Sequence, residues 1–415
     1  MSVRRVAAIA ATIALLTPFP LSAQTGSLTL PQALQKALTA NARLAVAERE
    51  VGMAEGRRQQ ASAYPNPQVY FELDNAFAVG KHAETTLQLS QIIELGGKRD
   101  ARVTAALACA DAARYQQEAA RLELLSDVAM AFVAMLAAQQ RIQLLDRQIA
   151  TLERLTPLMQ RRVEAGASSP ADVSRTQAAV GLVRVERERA RTAAAAARRD
   201  LTAQMGATVP DFATVTGQFT RIGRPPAFDA ILQAIEANPQ LLRWTAVRAQ
   251  RDAELLSARL KPVPDIQASL GWRHYTETGD SGIRAGVTIP IAVLDRNRGA
   301  IREAHEAAAK TEAERAVNKL TLIAVVGRAY ETINGALREL DLLRRSVMPP
   351  ARQAFETVES GYAQGRFTVL ELLDAYRIVT DAELREQEAL QSFHTAVATI
   401  EGLTGAPLAL TGARP

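Results

Sequence analysis

Glu371 and Asp374 lie three residues apart, so on a helix they share one face. Copies of such a pair arranged about an axis make rings of carboxylates, and acidic rings at a constriction select cations. The simpler role for an acid in a first helical turn is to complement the positive end of the helix dipole. The residues taken alone favour that simpler role. A matching stretch nearer the N-terminus has Asp172 for Glu371 but Gln177 near the match to Asp374, so the acid pair is not duplicated. Other chemistry is absent. His82, His274, His305 and His394 are the only histidines, none at helical ligand spacing from another, and Cys109 is the only cysteine. Zinc or copper sites built from His and Cys are therefore not expected, and an intrachain disulfide is impossible. Gly96-Gly97-Lys98 looks like the end of a phosphate loop, but Ile92 stands where the first Gly belongs and Arg99 where Ser or Thr belongs. With no nucleophile elbow and no nucleotide fingerprint, neither an enzyme nor a cofactor is expected.

The acid pair follows Gly365, Arg366, Phe367 and Thr368, a turn between helical stretches at 297–364 and 369–404. An equivalent turn, Gly166, Ala167, Ser168 and Ser169, separates 98–165 from 170–206. Apolar residues recur in steps of three and four: Leu122, Leu125, Ala129, Phe132 and Leu136, then Ile142, Leu145, Ile149, Leu152, Met159 and Val163. The second long stretch repeats the pattern with Leu320, Ile323, Tyr330, Ile333, Leu337, Leu340 and Val347. These are heptad seams, and the first helix would be roughly 100 Å long. Hydrophobic residues make up 48% of the chain but aromatics only 5%, which suits long helices packed through small side chains. The net charge of +5 is mild, and runs such as Val185-Glu186-Arg187-Glu188-Arg189 read as a solvated helix face, so nucleic acid is not an expected partner.

The halves are a tandem duplication. Leu34, Ala37, Leu38, Ala40, Asn41 and Leu44 match Ile231, Ala234, Ile235, Ala237, Asn238 and Leu241 at an offset of 197. Further on the offset is 199, matching Leu95 to Leu294, Gly166 to Gly365 and Gly206 to Gly405. Residues 24–206 form the first repeat, 207–226 a Pro- and Gly-containing link, 227–405 the second repeat, and 406–415 a short loose tail. Each repeat opens with a helix, at 31–63 and 227–260, ended by Pro65/Pro67 or Pro262/Pro264. The period then changes to two, giving strand pairs at 68–74 with 85–92 and at 266–273 with 283–291. Gly96 and Gly97, and Asp295 in the second repeat, mark sharp strand-to-helix junctions. The fold class is mainly α with a small antiparallel β part.

In the second pair, Ile266, Ala268, Leu270, Trp272, Ala285, Val287, Ile289 and Ile291 take one face. Gln267, Ser269, Arg273, Arg284, Gly286 and Thr288 take the other. One apolar and one polar face suits a transmembrane barrel wall. Four strands cannot close a barrel, and an open edge cannot persist in hydrocarbon. A soluble sandwich would show the same alternation, but four strands in two hairpins cannot build a stable sandwich core between such long helices; if the strands cross a membrane, several chains must contribute to one barrel. Residues 1–23 read as a secretory leader, with Arg4 and Arg5, an apolar run from Ala7 to Leu16, and a small-residue site ending at Ala23. No later stretch has 18 consecutive apolar residues, so no helix is expected to span a membrane.

The Leu30-Pro31-Gln32-Ala33-Leu34 opening, the junction at 91–99 and the two turn motifs at 163–173 and 362–372 together resemble the TolC-like outer-membrane efflux proteins. The junction is most similar to the cobalt–zinc–cadmium type. The resemblance implies a homotrimer whose chains supply four strands each to a twelve-stranded barrel in outer-membrane lipid, continued through the periplasm as a hollow α-barrel. It implies a passive exit duct for a tripartite pump with an inner-membrane proton-driven transporter. A periplasmic adaptor would dock on the tips at 166–169 and 365–368. Heavy-metal cations are the implied cargo, with drugs or other small molecules as the alternative. Glu371 and Asp374 fall on the acidic positions that narrow the closed duct in the family, which reverses the balance struck above. Phe367 stands where a basic residue often sits, so gate-locking ion pairs do not carry over. The competing readings, a periplasmic adaptor or a soluble coiled-coil scaffold, leave the second hairpin or the alternating strands without a purpose.

Overall fold

The computed structural model describes residues 26–75 and 83–414; the expected leader, His82 and most of the first β-hairpin tip lie outside the described residues. The first half runs β1 (Ser27–Thr29), α1 (Leu30–Ala40), α2 (Ala42–Ser62), β2 (Gln68–Asp74), β3 (Glu84–Ile93), α3 (Lys98–Glu164) and α4 (Pro170–Gln204). After β4 (Thr214–Thr216) and β5 (Ile222–Arg224), the second half runs α5 (Phe228–Ile235), α6 (Pro239–Leu260), β6 (Ile266–Tyr275), β7 (Ser281–Thr288) and α7 (Arg298–Leu342). It continues through a π turn (Leu343–Val347) to α8 (Met348–Ala363) and α9 (Val369–Thr404), and closes on β8 (Thr411–Arg414).

The opening helices, expected to be continuous, are each broken at a duplicated asparagine. The Asn41 side chain accepts from Arg43 N at 2.9 Å and donates to Gln204 O at 2.7 Å. Asn238 accepts from Gln240 N at 2.7 Å and donates to Leu403 O at 2.6 Å. Each Asn therefore caps the helix after the bend and satisfies a carbonyl at the end of the returning long helix.

The sheet has the order β2-β3-β6-β7, with all neighbours antiparallel. Registers Leu89↔Leu270↔Ala285 and Leu87↔Trp272↔Ile283 align the apolar residues of the strands on one face. That face is bare: Phe71 is 60% exposed, Leu270 62% and Ile283 84%. On the other face Arg273 donates to Thr86 Oγ1 at 3.1 Å and pairs with Glu84 at 3.0 Å. β7 stops at Thr288, short of the expected 291, because Pro290 has no N–H to give β6.

The long helices pack side by side. The buried line of α3 between the tips and the core is Leu144, Gln148, Leu152, Leu155 and Met159, and that of α7 is Leu322, Val326, Ile333 and Leu340. These lines differ from the expected seams: Leu125 and Ile142 are only half-buried, and Leu320 is exposed. Helix α3 touches α2, α4, α6 and α9, so its apolar residues divide between several stripes rather than following one heptad line. One window of α3 is apolar enough by composition to cross a bilayer, and 33% of it is buried; α3 also contributes Leu124, Val128 and Phe132 to the protein core beside Leu28, Phe212 and Val215. The expected unbroken helix 297–364 instead contains the π turn. Pro349 and Pro350 follow it, and a wider turn absorbs the donors they lack.

Two corrections concern the link and the tail. The link holds β4, which pairs in parallel with β1, and Gln139 locks β4 to α3 by donating to Val215 O at 3.0 Å and accepting from Val215 N at 2.8 Å. The tail is not loose: β8 pairs with β5, and Leu408 and Leu410 cover the core of α5, α7 and α9.

Candidate channel constriction and docking tips

Both hairpin tips are built from one set of backbone devices. In the first, Ala167 N donates to Arg162 O at 2.8 Å and Gly166 N to Val163 O at 3.0 Å; in the second, Arg366 N donates to Gly361 O at 2.9 Å and Gly365 N to Tyr362 O at 3.0 Å. This closing pattern requires a left-handed residue, and Gly166 and Gly365 supply φ of 67° and 80°. Ser169 and Thr368 then cap the returning helices in reciprocal boxes with Asp172 and Glu371.

The tips also differ. Arg162 reaches from the first tip to the second: it donates to Ser168 Oγ at 3.1 Å, to Ala167 O at 3.2 Å and to Tyr362 O, while its guanidinium lies 4.8 Å from the Tyr362 ring centroid. At the matching place in the second repeat stands Gly361, and a Cβ there would lie 2.4 Å from Phe367. Phe367 thus folds back into the space that Gly361 leaves. Of the tip residues named from sequence, Gly166, Ala167, Ser169, Gly365, Arg366 and Thr368 are exposed, whereas Ser168 and Phe367 are half-buried. Arg162 was missed. Its signal was a duplication that fails twice at once, Arg162/Gly361 and Ser168/Phe367.

The structure separates the acid pair. Glu371 accepts from Thr368 N at 2.7 Å and from Thr368 Oγ1 at 2.8 Å. Those bonds, the backbone one foremost, hold its carboxyl below the usual range. A depressed folded-state pKa stabilises the tip above the unfolded value of 4.5, and the contribution is lost as pH falls through the folded value. Amide protection in the first turn of α9 should therefore drop in acid more in the native protein than in Glu371→Ala; equal acid sensitivity would count against the cap. Asp374 is exposed and, among the described residues, has no hydrogen-bond or ion-pair partner. It shares a bare stripe with Leu370 and Ile378. At the constant offset of 199 its counterpart is Arg175, not Gln177, and Arg175 pairs with Asp172 at 3.5 Å. The second tip therefore carries an acid at the position where the first carries a base. Higher up, Tyr376 donates to Gln148 O at 2.8 Å, and burial raises its pKa.

At the first junction Gly96 and Gly97 have φ of 72° and 76°. A Cβ on Gly96 would lie 3.0 Å from Val263, in the proline corner of the second repeat. Asp265 in that corner accepts from Leu95 N at 3.1 Å and pairs with Lys98 at 2.9 Å. Asp295 marks the second junction by accepting from Asn297 N at 2.8 Å, with Asn297 in the left-handed region. Among the described residues no group of three or more His, Cys, Asp or Glu side chains is placed to hold a metal ion.

The sequence model described as "Outer membrane efflux protein" matches residues 33–207 and again 230–406, one match per repeat. The chain belongs to this family. Among relatives of this outer membrane efflux protein, the cobalt-zinc-cadmium resistance protein CzcC of Cupriavidus metallidurans is 30% identical over 381 residues, covering 92% of this chain and 90% of the relative. The nickel and cobalt resistance protein CnrC of the same organism is 27% identical over 302 residues, 72% of each chain. The crystal structure of CusC aligns with a TM-score of 0.78 at 15% identity, over 91% of this chain and 92% of that one, so the fold is shared. The efflux family is not one of enzymes, and its fold joins long helical hairpins to a small antiparallel sheet.

Proposed function

We propose that this efflux protein is the outer-membrane exit duct of a tripartite pump that exports heavy-metal cations. The observation that carries the cargo is the 30% identity to CzcC across nearly the whole of both chains. The duct is passive, and energy comes from an inner-membrane proton-driven transporter. Copies associate as homotrimers, so that the bare apolar face of the sheet meets lipid and the face with Arg273 and Glu84 lines the lumen. Residues 1–23 are a leader cleaved after export. The tips at 166–169 and 365–368, held together by Arg162, meet the periplasmic adaptor. Because no dense ligand cluster occurs among the described residues, metal choice resides in the transporter.

The test is growth of a deletion strain on divalent metals and on hydrophobic drugs. Sensitivity confined to zinc, cobalt, cadmium or similar ions supports this cargo; sensitivity mainly to drugs keeps the duct and replaces the cargo. Glu371 and Asp374 form the proposed constriction, and their separate environments make a sharper expectation. Because Asp374 has a free carboxylate and Glu371 is bound to its own cap, Asp374→Asn should raise closed-channel conductance and weaken block by divalent cations more than Glu371→Gln does. Equal effects in planar bilayers would remove that distinction.

A further inference from the structure

The two strand-to-helix corners have diverged in charge. At the first, every cation is matched. Lys98 pairs with Asp265 at 2.9 Å and Arg102 with Glu94 at 2.6 Å. Arg99 donates to Ser62 O at 2.9 Å and lies 4.4 Å from the centroid of the Tyr64 ring. The offsets of the duplication carry Ser62, Tyr64, Gly97 and Arg99 to Arg259, Lys261, Arg296 and Arg298. The second corner thus has further cations where the first has a hydroxyl, an aromatic ring and a glycine. Asn297 Nδ2 donates to Ala258 O at 2.8 Å, which seats the start of α7 against the end of α6. Arg296 and Arg298 flank that asparagine, and Arg259 and Lys261 follow the bonded carbonyl, so the four are drawn into one patch. All four are exposed, and among the described residues none of their side chains has a hydrogen bond or an ion pair.

The local acids do not balance this patch. Glu254 pairs with Arg251 and Asp265 with Lys98. Asp295 alone lies within the corner, with a carboxylate oxygen turned to Asn297 N at 2.8 Å. Glu303 lies further along α7. Like charges gathered this way repel one another and cost stability unless an anion sits among them. The place of the patch identifies the anion. Lys261 comes just before β6 opens at Ile266, and the chain reaches Arg296 soon after β7 ends at Thr288. Between β7 and the cations stand Ile291, Val293 and Leu294, 82%, 64% and 99% exposed. The patch therefore sits where the bare apolar face of the sheet gives way to charge, at the end away from the hairpin tips. Apolar surface bordered by unpaired cations fits an amphiphile with an anionic head. Its acyl chains lie along the apolar residues, and the long Arg and Lys stems reach its phosphate. An acidic segment of a soluble protein would leave the apolar half of the surface bare.

We propose that Arg259, Lys261, Arg296 and Arg298 form a binding site for the headgroups of anionic phospholipid in the inner leaflet of the outer membrane. The proposal rests on the membrane orientation of the sheet given above. It adds a lipid contact that the second repeat makes and the first does not, and it sets the level of the periplasmic headgroups at the second corner. It also accounts for a divergence that the fold does not require, since the first corner bends from strand to helix with its cations neutralised.

Phosphatidylglycerol titrated in mixed micelles onto the detergent-extracted protein should raise the temperature at which the oligomer dissociates, and phosphatidylcholine should raise it far less. Each cation near an anionic lipid surface contributes about a five-fold gain in binding. Arg259→Gln with Arg298→Gln should therefore raise the half-saturating phosphatidylglycerol concentration roughly ten-fold or more. Lys310→Gln with Arg315→Gln, the same change of charge further along α7, should leave it unaltered. Equal responses of the native protein and the corner variant overturn the proposal, as do equal responses to the two lipids. Protection by inorganic phosphate as strong as that by the lipid would make the corner a site for free anions and overturn the lipid assignment. A protein that is monodisperse without detergent and does not enter phospholipid bilayers overturns the membrane reading instead.

Discussion

Leu270→Arg should sharply reduce the amount of assembled protein recovered from the outer membrane, whereas Gln88→Arg should not. Leu270 lies mid-strand on the bare apolar face, opposite Leu89 and Ala285. Its 62% exposure decides what the outcome means. If that face met water, an arginine there would change stability by roughly half a kcal/mol or less. Against hydrocarbon, an arginine near the bilayer midplane costs about 2–4 kcal/mol. Gln88 pairs with Tyr70 and Gly271 on the opposite face, which already carries Arg273 and Arg284. The contrast between the variants therefore reports which side meets lipid. Equal recovery of the two would count against the membrane orientation of the sheet.

Gly206→Ala should destabilise the fold by roughly 3 kcal/mol, against roughly 1 kcal/mol for Gly405→Ala. The two glycines occupy matching positions at the ends of α4 and α9, with left-handed φ of 81° and 70°. The conformational cost of a Cβ is thus the same in both. The surroundings differ. At Gly206 the Cβ would lie 2.6 Å from Ala40 O and 2.8 Å from Asn41 Cα, backbone atoms held by the Asn41 bend. At Gly405 the nearest atom is Leu122 Cδ1 at 3.4 Å, the end of a flexible side chain. The temperature at which the detergent-extracted oligomer dissociates is the readout, and a larger drop for Gly405→Ala would reverse the argument.

Much of this architecture is local and therefore legible in the chain. The change of period after Pro65/Pro67 and Pro262/Pro264 marks the hairpins, because strand and helix impose different spacings on the same apolar residues. Gly166 and Gly365, each followed by a capping residue and an acid, mark the tips, because only certain residues close one helix and open the next. The offsets of 197 and 199 reveal the duplication without any structure. The sequence alone also exposed both roles open to Glu371, but not that its carboxylate is bound to Thr368 while that of Asp374 is left free.

What tertiary structure alone decided involves partners far apart in the chain. Strands as short as β5 and β8 show no period, so their pairing, and with it the order in the tail, arises only once α5, α7 and α9 bring them together. The heptad lines identified sticky faces but not how they are shared, because a helix such as α3 answers to several neighbours. Arg162 selects the opposite tip through a carbonyl 200 residues away, and Asp265 fixes a junction 167 residues earlier. No spacing rule encodes such contacts: the sequence sets which local pieces can form, and long-range packing determines which side chains meet.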